Sequence, residues 1–437
     1  MFSDTVLRSI DANRTIKDKI VESISRSRPR LRISVTDLIN PMQAYFRWAH
    51  PEIKTPIDKL QYMLLGTGFH DIFSDIVTTE EYVEQLLEYD GIVGKVDIFE
   101  DIPIELKTTN SIPNDLYKEK LSYVEQLGMY CAMSNCDKGQ LIIYKRSSRT
   151  KKVILKVFDV TYFDLAKIKS SMSKRKDMFQ HALESKNPDK LPRCEWYQKR
   201  CDYAKFCGCE TANSDEPIVG NDEVEISSNE NVLEQFTNKL LSKRISATDT
   251  NLTLDNIIFP RKYALSRNHS EIATNGNDFQ TQMANIENLG FRKALLEAIK
   301  FGSEEKLNYI KVSKAILQDT VLMLSDIPIM IENVEMDTMV PRKDLPSIFP
   351  HYFDKLAFIC ALTNSPKSRL ILYYQNIYKN KFMIYDVIFK NRNEILQELD
   401  NRIHALINNT DHTNLPKCPK SILKYCQYLK VCECSQS

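Results

Sequence analysis

The chain has 437 residues, 43% hydrophobic and 27% charged, with a formal net charge of +1. That length fits two or three domains with ample cores, and the near-neutral balance excludes a global electrostatic case for nucleic-acid binding, which must rest on local patches. No apolar run approaches membrane-spanning length and residues 1–32 are too polar for a signal peptide, so the expected location is cytoplasmic, with no membrane partner.

The opening segment to about Ile24 reads as an amphipathic helix with Val6, Ile10 and Ile20 facing a core. Arg26, Arg28, Arg30 and Arg32 then alternate, as either a solvated approach to a domain or a phosphate-contacting arm. Thr36 or Asp37 caps a following helix of apolar and aromatic periodicity. The next helix, over 59–77, is loosened by Gly66 and Gly68, with His70 just beyond them. Taken alone, that histidine reads as an ordinary packed or exposed residue.

From 91 to 110 two short apolar strands join at Glu100-Asp101-Ile102. A three-residue turn pairs 99 with 103, which sets Asp97 opposite Glu105 on the face that Lys107 shares. Two carboxylates and an ammonium at one point on a sheet make a candidate divalent-metal site. A helix over 116–134 places Gln126 and Tyr130 four residues apart on one face, a spacing that is commonplace by itself.

Strands over 140–144 and 153–160 flank a basic tip at 145–152, and a helix over about 163–185 leads to Cys194, Cys201, Cys207 and Cys209. Eleven cysteines are many for a reducing compartment, where disulfides are rare. Four thiols within sixteen residues are hard to explain as packing. They fit an iron–sulfur cluster or tetrahedral zinc, and the lack of paired C-x2-C knuckles tilts the choice toward iron–sulfur.

Residues 213–233 are acidic and polar and read as a linker, after which the chain begins again. DNIIFPRKYALSRNH echoes TDLINPMQAYFRWAH, LSDIPIMIE echoes FEDIPIELK, and LPKCPKSILKYCQYLKVCEC repeats LPRCEWYQKRCDYAKFCGC, with Cys418, Cys426, Cys432 and Cys434. A period this long is a domain duplication, giving copies at 1–212 and 234–437. Where the first copy has His70, Asp97, Glu105, Lys107, Gln126 and Tyr130, the second has Arg292, Leu322, Met330, Glu332, Lys355 and Ile359. The apolar framework and the thiols persist while every polar candidate has changed. Those residues therefore serve one dispensable job, and the thiols read as structural.

The set His70, G-K-V-Asp97, Glu105-Leu-Lys107 and Gln126-x3-Tyr130, closed by cysteines, resembles the RecB-like branch of the PD-(D/E)XK nucleases. Within it the chain is most similar to the CRISPR-associated iron–sulfur exonucleases and related archaeal and viral DNA nucleases. The resemblance covers roughly 33–209, with the second half a decayed copy. One departure is that the family's N-terminal cluster cysteine is replaced here by Asn40, and by Phe259 in the second copy; Cys209 and Cys434 add a fourth thiol to each C-terminal run instead.

The resemblance implies a restriction-endonuclease-like α/β fold, a mixed sheet flanked by helices, duplicated, each copy closed by a four-cysteine segment. It implies a metal-dependent DNA nuclease, an exonuclease acting on single-stranded ends in DNA processing, repair or CRISPR spacer acquisition. Asp97, Glu105, His70 and the Leu106 carbonyl would hold Mg²⁺ or Mn²⁺, with Lys107 orienting the attacking water and Gln126 and Tyr130 positioning the strand or loop. Two [4Fe–4S] clusters are implied, with zinc as the alternative. DNA is the implied partner, alongside CRISPR adaptation or recombination and repair proteins. The competing expectation is a non-catalytic nucleic-acid-binding or scaffolding protein.

Overall fold

A computed structural model describes residues 5–25, 31–53, 57–109, 111–146, 153–194, 201–204, 206–207, 217–242, 252–268, 279–299, 302–310, 316–324, 326–334, 336–374, 382–408, 411–419, 423, 426 and 428–434. Most of the arginine run, most of the basic tip at 145–152, and Cys209 lie outside them. The chain opens with β1 (Leu7–Ala12) and α1 (Arg14–Ser25), then α2 (Val35–Ile39), α3 (Pro41–Ala49) and α4 (Ile57–Val77). Next come β2 (Val83–Tyr89), β3 (Ile92–Phe99), β4 (Pro103–Thr109), α5 (Leu116–Glu119), α6 (Leu121–Ser134), β5 (Lys138–Arg146), β6 (Val153–Tyr162) and α7 (Leu165–Ser185). Then follow β7 (Val224–Ser228), α8 (Glu230–Ser242), α9 (Leu254–Ile258), α10 (Pro260–Asn268) and α11 (Phe279–Ile299). The last elements are β8 (Gly302–Ile310), β9 (Ile316–Leu324), β10 (Ile327–Val334), α12 (Leu345–Ile348), α13 (Pro350–Thr363), β11 (Ser368–Tyr374), β12 (Phe382–Phe389) and α14 (Arg392–Ile407).

These elements form two units, each a mixed sheet flanked by helices. The first comprises residues 25–242 with 289–291. Its sheet runs β2-β3-β4-β5-β6-β7, with β4 and β5 parallel and the other neighbours antiparallel. Parallel neighbours need a crossover, which α5 and α6 provide. Helix α6 is the core helix: Val124, Leu127, Met129, Tyr130, Cys131 and Ala132 are buried, together with Val96, Leu141 and Ile143 of the sheet.

Local chemistry sets the boundaries. The expected helix over 116–134 is two pieces, because Asp115 caps the first by accepting from the Lys118 amide and Lys120 leaves helical geometry. Asp164 accepts from the Lys167 amide, so α7 starts at Leu165. Helix α6 stops at Asn135, held in the left-handed region at φ 59°.

The second unit comprises residues 1–24, 243–288 and 292–437. Its sheet runs β8-β9-β10-β11-β12-β1, with β10 and β11 parallel and the other neighbours antiparallel, the same sequence of directions as in the first unit.

Both leading segments depart in part from expectation, although residues 14–25 of the opening segment are helical as expected. Residues 7–12 are a strand, and it pairs with β12 in the second unit. Residues 224–228, expected to lie in a linker over 213–233, are a strand that completes the first unit's sheet beside β6. The expected divisions at 1–212 and 234–437 therefore cut across both sheets. A short polar strand such as LRSIDA or VEISS has too little periodicity to be distinguished from loop or helix end. Its place is decided by a distant partner.

Each junction is closed the same way. The Asn13 side chain caps α1 by accepting from the Ile16 amide, and its Nδ2 donates to Asp386 on β12 at 2.9 Å. The Asn229 side chain caps α8 by accepting from the Val232 amide, and its Nδ2 donates to Asp159 on β6 at 2.6 Å. Among the described residues no helix is long and apolar enough to cross a membrane.

Candidate active site

The hairpin forms as its sequence predicts. Phe99 pairs with Pro103 and Ile98 with Ile104, leaving residues 100–102 as the turn. Strand β3 buries Ile92, Gly94, Val96 and Ile98 on one face, while Asp97 lies on the other. Strand β4 is central in the sheet and buried over Pro103–Leu106, which takes Glu105 out of water.

The six polar candidates come together around that carboxylate. Lys107 Nζ donates to Glu105 Oε1 at 2.5 Å and to Gln126 Oε1 at 2.9 Å. Gln126 Nε2 donates to Glu105 Oε1 at 2.7 Å and to the Tyr130 hydroxyl at 3.0 Å. The amide of Leu106 donates to Asp97 Oδ2 at 2.7 Å, and His70 Nδ1 lies 3.5 Å from Asp97 Oδ1. Helix α4 brings in His70, since Gly66 passes close to β4: a Cβ there would lie 3.1 Å from Thr108 Oγ1.

The electrostatics divide the two carboxylates. Burial pushes Glu105 up to about 7, helped by the nearby Asp97 charge and opposed by Lys107. Burial acts in the same direction on Asp97. There the His70 hydrogen bond and charge, the Lys107 charge and the Leu106 amide outweigh it, and Asp97 sits below the usual carboxylate range. For Lys107 burial lowers the pKa, but the charges of Glu105 and Asp97 raise it further, so the ammonium is retained. Burial and then the Glu105 charge hold the Tyr130 phenol well above its ordinary value.

Two residues of the site escaped the sequence reading. Tyr123, one turn before Gln126, lies with its ring centroid 5.5 Å from Lys107 Nζ. Its i, i+3 spacing from Gln126 was the available signal. Gly94 makes room for Tyr130, because a Cβ at 94 would fall 2.7 Å from Tyr130 Cε1. In the sequence this glycine belongs to the G-K-V-D run, and nothing local in that run signals its packing role.

Among the described residues no group of three or more His, Cys, Asp or Glu side chains is set to hold a metal ion as it stands. At the hairpin the Lys107 ammonium takes Glu105 Oε1 and the Leu106 amide takes Asp97 Oδ2. Glu105 Oε2 and His70 Nε2 remain buried with no hydrogen-bond partner among the described residues. A buried, orphaned carboxylate oxygen is a donor that suits Mg²⁺ or Mn²⁺ alike, while the orphaned imidazole nitrogen is a transition-metal donor that favours Mn²⁺ of the two.

At the matching place in the second unit, Arg292 Nη2 lies 2.7 Å from Glu332 Oε1 and Lys355 Nζ lies 2.6 Å from Asp255 Oδ1. Register corrects one expected correspondence. Ile329 pairs with Leu322 where Ile104 pairs with Ile98, so the counterpart of Asp97 is Val321, not Leu322. The β9–β10 turn closes at Leu324–Ile327 and is one residue shorter than the β3–β4 turn, which shifts the strand by one. Either residue is apolar.

The second-half thiols gather in a small core. Cys418, Cys432 and Cys434 are buried with Leu265 and Tyr428, and Cys426 packs against them. The Cys418 amide donates to Cys434 Sγ at 3.4 Å. Burial, then the charges of Cys434, Cys426 and Cys432, push the Cys418 thiol up to about 12. In the first half Cys194 is buried and Cys201 and Cys207 pack on the same core.

No protein-family profile and no curated protein matches the chain. Among solved structures, one described as "Crystal structure of SSO0001" is similar over 47% of this chain and 98% of its own, at 15% identity and a TM-score of 0.33.

Proposed function

We propose that the protein is a metal-dependent DNA nuclease of the RecB-like PD-(D/E)XK type, cleaving from single-stranded ends, with its reaction centre at the β3–β4 hairpin of the first unit. The observation that carries this reading is the convergence of Asp97, Glu105, Lys107, Gln126, Tyr130 and His70 from two strands and two helices onto one partly buried point.

Asp97, Glu105 through its free Oε2, and His70 through Nε2 are the residues that would hold Mg²⁺ or Mn²⁺; the resemblance adds the Leu106 carbonyl. When bound, such an ion supplies Lewis-acid activation of a water and neutralisation of charge on the scissile phosphate. The chain does the rest. Lys107, protonated and anchored by Glu105 and Gln126, presents positive charge where the attacked phosphate gains negative charge. Gln126 holds Glu105 and Lys107 together and is itself set by the Tyr130 hydroxyl, a positioning role. Asp97, kept ionised by its neighbours, is ready to bind without losing a proton.

We read the two halves as a duplication whose second copy has lost the chemistry. The same strand directions, the paired Asn–Asp closures, and the buried pairs Arg175–Glu125 and Arg402–Asp354 at matching places support this. The four thiols of each half suit an iron–sulfur cluster by donor chemistry, with zinc the alternative. Brown protein with visible absorption, iron and sulfide supports clusters, and colourless protein carrying zinc overturns them.

The deciding experiment incubates 5′- and 3′-labelled single strands with the protein in Mg²⁺, Mn²⁺ or EDTA, beside Asp97→Ala and Lys107→Ala. Metal-dependent loss of DNA with the parent and none with either folded variant is expected. Equal degradation by both variants, or binding without cleavage by the parent, rejects the reading, the latter in favour of a non-catalytic DNA-binding protein.

A further inference from the structure

We infer that the second unit carries a phosphate-gripping groove for single-stranded DNA, built from Arg8, Arg342 and Lys343. The inference deepens the proposed function by assigning part of the substrate's binding to the unit that lacks the carboxylates. A groove enclosing about 430 Å³ is lined by these three cations with Ser9, Ser347 and Pro346. That volume suits a nucleotide-sized ligand.

The groove lies between the sheet edge and a helical turn. Strand β1 is one edge strand of the second sheet, with β12 its one neighbour among the described residues. Leu7 pairs with Phe389 and Ser9 with Ile388, so Arg8 is the extra residue of a bulge. Bulges at sheet edges re-aim side chains, and here both Arg8 and Ser9 line the groove. Arg342 and Lys343 lie on the single turn Arg342–Asp344 that leads into α12.

Among the described residues no carboxylate lines the groove, and none of the three cations is ion-paired with a described carboxylate. Of the acidic residues nearest along the chain, Asp11 accepts from the Ser9 hydroxyl at 2.9 Å, and Asp344 ends the Arg342–Asp344 turn with no cap hydrogen bond from its side chain. All three cations are exposed.

The fold does not require them. With Asn13 matched to Asn229, Arg8 and Ser9 correspond to Val224 and Glu225 of β7. With α12 matched to α5, Arg342 and Lys343 correspond to Pro113 and Asn114. The same place in the first unit is therefore neutral to acidic. Three cations along an open edge match a run of phosphates, and Leu7, Ile10 and Pro346 offer apolar contact to sugars. In a chain of net charge +1, such a local patch supplies the attraction that overall charge does not.

The test uses the full chain in EDTA, so that binding is read without cleavage. Affinity for a labelled oligo-deoxythymidine is measured across salt concentrations for the parent and for the triple variant Arg8→Ser, Arg342→Ser, Lys343→Ser. Three lost phosphate contacts should weaken binding and flatten the log–log salt slope by roughly 2, at about 0.7 per single-strand phosphate. The charge-keeping variant Arg342→Lys, which should retain the parent slope, controls for folding. An unchanged slope and affinity in the triple variant overturns the groove, as does equal loss for an acidic peptide with none for DNA. A protein that fails to cleave but loses slope in the triple variant keeps the groove and rejects the hairpin chemistry.

Discussion

Lys107 and Glu105, two residues apart on β4, meet through one oxygen: the ammonium lies 2.5 Å from Glu105 Oε1, while Glu105 Oε2 is left buried and unpartnered among the described residues. The pair thus offers a satisfied face and an open one. The open face is where an ion would compete with a proton.

That competition fixes a pH dependence. Glu105 titrates at about 7, against an ordinary value of 4.5, because burial disfavours its charge. Metal binding needs the carboxylate, so affinity for Mn²⁺ should rise about tenfold per pH unit from about 5 to 7 and flatten above. Calorimetry in buffers of different ionisation heat should find close to one proton released at pH 6. Glu105→Gln should abolish both effects. By the same linkage the metal-free protein binds more protons folded than unfolded in that window, so its stability should fall as pH rises from 4.5 to 7.

Gln126→Ala removes a donor to Glu105 and the acceptor that steadies Lys107. Cleavage should fall about 10²-fold, mainly in kcat. Losing the donor also raises Glu105 further, so the acidic limb of the pH–rate profile should move to higher pH. A loss of rate with an unmoved limb would place Gln126 outside this network.

Gly94→Ala should show how closely Tyr130 is seated. The added methyl falls 2.7 Å from Tyr130 Cε1 and 3.1 Å from Val35 Cγ2, an overpacking that costs about 1–3 kcal/mol. Thermal denaturation should report a drop of several degrees, at roughly 2–4 °C per kcal/mol for a domain of this size. Adding Tyr130→Leu should recover part of it, a non-additivity expected of residues in contact.

The strand exchange predicts which fragments fold. A fragment spanning 25–242 keeps all six strands of the first sheet, while 1–212 lacks β7 and carries β1 without β12. The former should melt cooperatively and at higher temperature. In the full chain, Asn229→Ala and Asn13→Ala should each cost about 1 kcal/mol or more, since each loses a helix cap and a bond to a strand aspartate. Equal stability of the two fragments would refute the assignment of β7 to the first sheet.

The hairpin was legible in the sequence because its information is local. Alternation puts Glu105 and Lys107 on one face whatever surrounds them, and a three-residue turn sets the 99–103 pairing by itself. Helical spacing likewise places Gln126 beside Tyr130. What the tertiary structure alone decided is non-local. Two short polar strands, β1 and β7, carry no pattern that names their partners, and each joins a sheet far along the chain. A one-residue difference in turn length moved the counterpart of Asp97 to Val321, and no echo of letters fixes register across such a turn. The charge state of the site belongs to the fold as well: Glu105 is an ordinary glutamate on paper, and a central strand beneath a buried helix brings its carboxyl to the edge of neutrality at physiological pH.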